Sequence, residues 1–250
     1  MNGGVVKEEI YPVLNVPESI RCLGPVKDQS AEDAKKAFDW TMATLRARID
    51  GLLEFFDFEY PTAGSEYQFL LDLGGKISTE LRREPNFRLT DNGAEPTAPG
   101  LSMAYDSGLL VGELVIRSSD GVVRWTLQEG GPDKPDANKA VLFGRPERLK
   151  IEPVGPIMAD ARLIVQGLDF QMMWAWRYVF SLIKLTSDAW LRPEQTLQLA
   201  HERGFPLEDY REISKREWAR VRKAGGPYLR RPTSPLLKPG SPSKDNEILQ

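Results

Sequence analysis

The stretch Met172–Ile183 constrains this chain most. Ten of its twelve residues are apolar, and only Arg177 and Ser181 interrupt it. A helix that is apolar nearly all round must lie inside a structure, with other elements packed against every side. A membrane span needs about 20 apolar residues. Asp169 and Lys184 bracket only fourteen positions here, which predicts a central core helix. Its aromatic run, Trp174, Trp176, Tyr178 and Phe180, reads as core packing rather than a ligand-stacking surface.

Around this segment the chain divides into regions of different character. Residues 1–29 carry Pro12, Pro17, Gly24 and Pro25 and read as an extended arm and loop. Ser30 with Asp33 three residues on forms a capping box. Ala34, Phe38, Met42, Leu45, Ile49, Leu52, Leu53 and Phe56 then recur at helical spacing. A long amphipathic helix is expected over 31–55. A second is expected from Ser65, with Tyr67, Leu70, Leu71, Ile77 and Leu81 on one side and Gly74-Gly75 weakening its middle. Residues 84–104 contain Pro85, Pro96, Pro99 and Asp91-Asn92-Gly93 and predict a long loop.

Leu109–Arg117 is rich in Leu, Val and Ile and predicts a strand. Ser118–Gly121 would be the turn of a hairpin, and Val122–Gln128 its alternating second strand. Ala140–Phe143 and Leu149–Glu152 would add two more. From Ile157 to about Lys223 the pattern is helical. Pro193 is placed for a first helical turn, Gly204 and Pro206 for a stop, and Glu208–Lys223 for a last helix interrupted near Ser214. The expected architecture is α+β: a small antiparallel meander packed on two N-terminal helices, then a helical C-terminal region. The expected boundaries are 1–155 for the α+β domain, 156–231 for the helical region and 232–250 for a disordered, proline- and serine-rich tail.

Composition removes several chemistries. The chain has 250 residues, one cysteine and one histidine. Cys22 and His201 cannot supply the three or four ligands of a Cys/His zinc site, and no intrachain disulfide can form. Any Cys–His or Ser–His pair would have to use His201, which falls on a charged helical surface. Cys22 lies in a loop between Arg21 and Leu23. Neither Gly-x-x-x-x-Gly-Lys-Ser/Thr nor Gly-x-Gly-x-x-Gly occurs, which disfavours the common nucleotide-binding folds. No metal or cofactor site is expected. Among the acids Glu113 stands out, beside Gly112 on the expected hairpin strand, where it would guard a solvent face. The first residues show no basic segment followed by an apolar one, so a cytoplasmic location is the expectation.

Charge is uneven. Residues 1–191 hold 21 Lys+Arg against 28 Asp+Glu, a net of -7, and residues 192–250 hold 12 against 8, a net of +4. Within 193–223, Ala200-x-x-x-Gly204 followed by Tyr210 and Ile213 has a helix-turn-helix-like spacing. Arg216, Arg220, Arg222 and Lys223 would be its phosphate contacts. Pro206 and the interleaved acids Glu208, Asp209, Glu212 and Glu217 oppose that reading.

One set of motifs is familiar. Gly108-Leu109-Leu110-Val111-Gly112-Glu113 precedes Gly121-x-x-x-Trp125, then Asn138-x-x-Val141-Leu142-x-Gly144 and Pro153, with Phe56-Asp57-Phe58 upstream. Over roughly residues 50–155 this resembles uncharacterised bacterial families in which a Gly-x-Tyr-x-Gly-Glu strand pairs with a tryptophan-bearing strand. Leu110 replaces the usual tyrosine, and Ala140 a frequent proline. The resemblance implies an α+β fold and brings with it neither an enzyme activity nor functional residues. Some similar small intracellular proteins are immunity or accessory partners in bacterial toxin systems. The leading expectation is a soluble, non-enzymatic module that binds another protein. Nucleic-acid binding through 193–223 is the alternative, and a carboxylate-based hydrolase or transferase is the third reading.

Overall fold

The computed structural model describes residues 10–23, 26–91, 93–128, 137–146 and 149–223. The expected tail 232–250 and the start of the N-terminal arm lie outside them. The described arm holds a four-residue helix α1 (Glu18–Arg21) and a 3-10 turn (Val26–Asp28). Helix α2 (Ala31–Phe55) begins where its cap predicts: the Ser30 side chain accepts the Asp33 N–H at 3.1 Å. Its apolar stripe buries Ile49, Leu52 and Leu53.

Helix α3 (Glu66–Leu81) runs straight through Gly74-Gly75. Packing explains a pair that helix propensity disfavours. A Cβ at Gly74 would stand 2.3 Å from the Gln171 carbonyl oxygen, so only glycine lets the start of the central helix approach α3.

The next segment departs from expectation. Residues 84–104 are not a long loop. They form a hairpin, β1 (Phe87–Thr90) with β2 (Gly93–Pro96), antiparallel in the register Phe87↔Pro96, and then open a helix. That helix, α4 (Ala98–Arg117), contains the whole of the expected strand Leu109–Arg117. The reason is burial. Leu109, Leu110, Val111, Leu114 and Val115 are all fully enclosed, so the sequence shows no polar face and no 3.6-residue period. A short apolar run with β-branched residues does not by itself separate a buried strand from a buried helix. The small residues inside α4 fit the helix: the Ser102 and Ser107 hydroxyls donate to the Ala98 and Met103 carbonyls at 2.8 and 2.7 Å.

The turn at Ser118–Gly121 is present, with Gly121 at φ +80°, but it links a helix to a strand. Strand β3 (Arg124–Leu127) pairs antiparallel with β4 (Ala140–Phe143), and β4 with β5 (Lys150–Ile151). The last two expected strands therefore exist, and their partner on the other edge is the tryptophan strand alone. Four helices follow: α5 (Val154–Val165), α6 (Met173–Thr186), α7 (Pro193–Glu202) and α8 (Tyr210–Lys223). Helix α7 stops at Gly204, φ +84°, and α8 continues through Ser214.

Helix α6 is central, as its composition requires. Trp174, Ala175, Val179, Ile183 and Leu185 have no exposed surface, and α6 packs on α3 and α4. Helix α4 also packs on α2 and α5. Two helices buried on nearly all sides thus form the centre of a mostly helical α+β fold with small antiparallel sheets. Among the described residues no helix is long and apolar enough to cross a membrane.

Candidate functional site

The arm is bound at both ends. Tyr11 is buried, and its hydroxyl donates to Asp106 Oδ2 at 2.6 Å. Arg48 of α2 donates through Nη2 to the other oxygen of the same carboxylate. The Tyr11 ring meets Phe55 edge-on at 5.1 Å. Further along, the Leu14 N–H donates to Ser102 Oγ at 2.8 Å. At the far end Asn138 Nδ2 donates to the Val26 and Gln29 carbonyls at 3.1 and 2.9 Å. Burial raises the Asp106 carboxyl above the usual carboxylate range and outweighs Arg48 and Tyr11, which act the other way. Burial, with Asp106 beside it, also pushes the Tyr11 phenol far up. The phenol therefore stays a proton donor, and the arm is fixed by a cluster with little access to water.

Between this arm, α2, β4 and the start of α5 lies a pocket of about 440 Å³. Small-molecule and anchor sites commonly measure about 300–1,000 Å³. Its apolar wall includes Leu14, Val16, Ile20, Phe38 and Trp40. These five are half-buried and stand apart from the core residues and those packed on them. Polar groups converge at one end. The Tyr105 hydroxyl lies 3.4 Å from Thr41 Oγ1, and Lys139 Nζ lies 3.8 Å from Glu152 Oε2. The other Glu152 oxygen accepts the Gly155 N–H at 2.6 Å at the start of α5. The Arg48 guanidinium sits 4.9 Å over the Tyr105 ring. Burial raises the Tyr105 phenol as well, so it enters the pocket neutral.

Neither Cys22 nor His201 lines this pocket. Cys22 is exposed and donates to Glu18 Oε1 at 2.9 Å, while His201 Nε2 lies 2.6 Å from the Leu207 carbonyl oxygen. Among the described residues no three His, Cys, Asp or Glu side chains are grouped as metal ligands would be. Glu113 is not on a strand face. It projects from α4 and accepts the Trp125 Nε1–H at 2.6 Å. Gly112 lies flush beneath that indole: a Cβ there would stand 2.3 Å from Trp125 Cζ2. The Gly112-Glu113 and Trp125 motifs therefore meet, as a helix–strand contact rather than a strand pair.

The four basic residues of the C-terminal segment lie on α8. Arg216 pairs with Glu208 at 2.7 Å, and Arg220 with Glu217 at 2.9 Å and with the Gly167 carbonyl at 2.6 Å. Arg222 donates to the Trp218 carbonyl at 3.2 Å, and Lys223 is exposed. The 203–209 linker between α7 and α8 exceeds the roughly three- to four-residue turn of a helix-turn-helix. No protein-family model, no curated protein and no solved structure matches this chain.

The pocket has no sequence motif of its own. Phe38 falls on the expected core stripe of α2, and Trp40, off that stripe, is the sequence signal for it: a large aromatic where the helix should face water. Tyr11, Arg48 and Asp106 carry no local motif.

Proposed function

We propose that this chain is a non-enzymatic module that binds another protein, and that the pocket behind the N-terminal arm receives an apolar anchor side chain from that partner. One observation carries the reading. Among the described residues, three of the five large apolar side chains most exposed to water, Ile10, Val13 and Val26, lie on the arm that walls the pocket. Large apolar side chains left exposed along one segment make that segment a candidate interaction surface. An apolar cavity beside it is the geometry of an interface hot spot, in which one anchor fills a pocket and its surround excludes water. The acidic body, net -7 over residues 1–191, favours a partner with basic residues around the anchor.

The test is copurification from the native host, followed by calorimetry with the recovered partner. Wild-type protein should retain one defined partner in a fixed ratio. Ile20→Asp and Trp40→Ala should weaken that binding at least tenfold without lowering the melting temperature much. A protein that elutes alone at every salt concentration, or a partner held equally by both variants, would sink the proposal.

A further inference from the structure

A second, smaller pocket lies on the far side of Glu152, and its chemistry differs from that of the arm pocket. Helix α6 places Trp176, Phe180 and Lys184 at i, i+4 and i+8, on one face. The Trp176 and Phe180 rings stack at 4.5 Å with 17° between their planes. The Lys184 ammonium lies 4.7 Å from the Phe180 ring centre and 5.5 Å from that of Trp190, which is 66% exposed. Lys150 of β5 and the prolines Pro153 and Pro156 help to close a space of about 240 Å³.

The charges in this pocket do not cancel. Arg177 is committed to Asp160, with Nε and Nη2 each 3.2 Å from a carboxylate oxygen. Glu152 faces Lys139 and the Gly155 N–H. Among the described residues Lys150 and Lys184 form no ion pair. Two lysines without an ion pair therefore line one small concavity beside Trp176 and Phe180. Partial burial lowers the pKa of Lys184; an ammonium already partly desolvated gives up less hydration on meeting an anion.

We propose that this pocket binds a small aromatic carboxylate, with the carboxylate held by the Lys150 and Lys184 ammonium groups and the ring against Phe180 and the two prolines. The volume is below the range of larger ligand sites and suits a single-ring acid. This inference stands on residues the partner-binding proposal does not use.

Benzoate titrated into the full chain, followed by calorimetry and by tryptophan fluorescence, tests it. Saturable one-to-one binding is expected, weakened about tenfold by Lys184→Gln and again by Lys150→Gln, since each removes one charge-assisted hydrogen bond. Melting temperatures of both variants should match the wild type. Lys150 lies on β5 rather than α6, so its variant keeps the test informative if Lys184→Gln folds poorly. Benzylamine should not bind, and acetate and inorganic phosphate should bind more weakly than benzoate. Absence of saturable benzoate binding, unchanged affinity in a folded lysine variant, or equal binding of phosphate or benzylamine would overturn the assignment.

Discussion

At the scale of single residues, Gly112 sets two known effects against each other. Glycine inside a helix costs about 0.5–1 kcal/mol relative to alanine. On that basis alone Gly112→Ala should stabilise α4. The indole of Trp125 opposes it, because the added Cβ would stand 2.3 Å from Cζ2 and 2.5 Å from Cη2. The ring must move, and its 2.6 Å hydrogen bond to Glu113 must stretch or break. Overpacking costs about 1–3 kcal/mol, and the lost bond adds about 1 kcal/mol. Urea unfolding of Gly112→Ala should therefore show a net loss of about 1–3 kcal/mol, with a change in tryptophan emission. A gain in stability would mean that the indole is free to move and that the Gly112–Glu113–Trp125 contact is not a structural clamp.

At the scale of elements, the readable parts of the sequence were those with one wet face or a local stop signal. Helix α2 showed its stripe and its Ser30 cap, α7 its Pro193 and Gly204, and α6 an apolar length that admitted only burial. Helix α4 was unreadable because Leu109, Leu110, Val111, Leu114 and Val115 are enclosed together, which erases the period that distinguishes helix from strand. The arm was unreadable for another reason. Its fixation depends on Tyr11 meeting Asp106, 95 residues away, and no spacing rule spans that gap. Tyr11→Phe tests how much that bond holds. The ring and its contact with Phe55 remain, while Asp106 Oδ2 loses its donor in a buried place. Leaving such an acceptor unpaired costs about 1–3 kcal/mol. The expected result is faster hydrogen exchange at the Leu14 amide, which bonds to Ser102 Oγ, with slower exchange retained in α6. Unchanged exchange at Leu14 would show that the arm is held by its apolar contacts and the Asn138 bonds instead.

At the scale of the whole molecule, charge and pocket assign different parts of association to different physics. The net -7 of residues 1–191 creates a field that acts before contact and fades over a Debye length, about 10 Å at 0.1 M salt. The arm pocket acts only after contact, through apolar burial that salt barely weakens. For the proposed partner, the association rate constant should then fall at least about tenfold as salt rises from about 0.02 to 0.5 M. The dissociation rate constant should change much less, because the anchor is apolar. Trp40→Ala should do the reverse, raising dissociation and leaving the salt dependence of association in place, since most effects of interface mutations appear in the off-rate. Stopped-flow or surface-binding kinetics at several salt concentrations separates the two. The C-terminal segment gives a contrast within the same chain. Of the four basic residues expected to contact phosphate, Arg216 and Arg220 are already paired with Glu208 and Glu217, which leaves Arg222 and Lys223 without an ion pair among the described residues. A polyanion contacting only those two would show a slope of log affinity against log salt near -2. A much steeper slope on DNA, together with salt-independent association to the protein partner, would move the functional surface from the arm to α8.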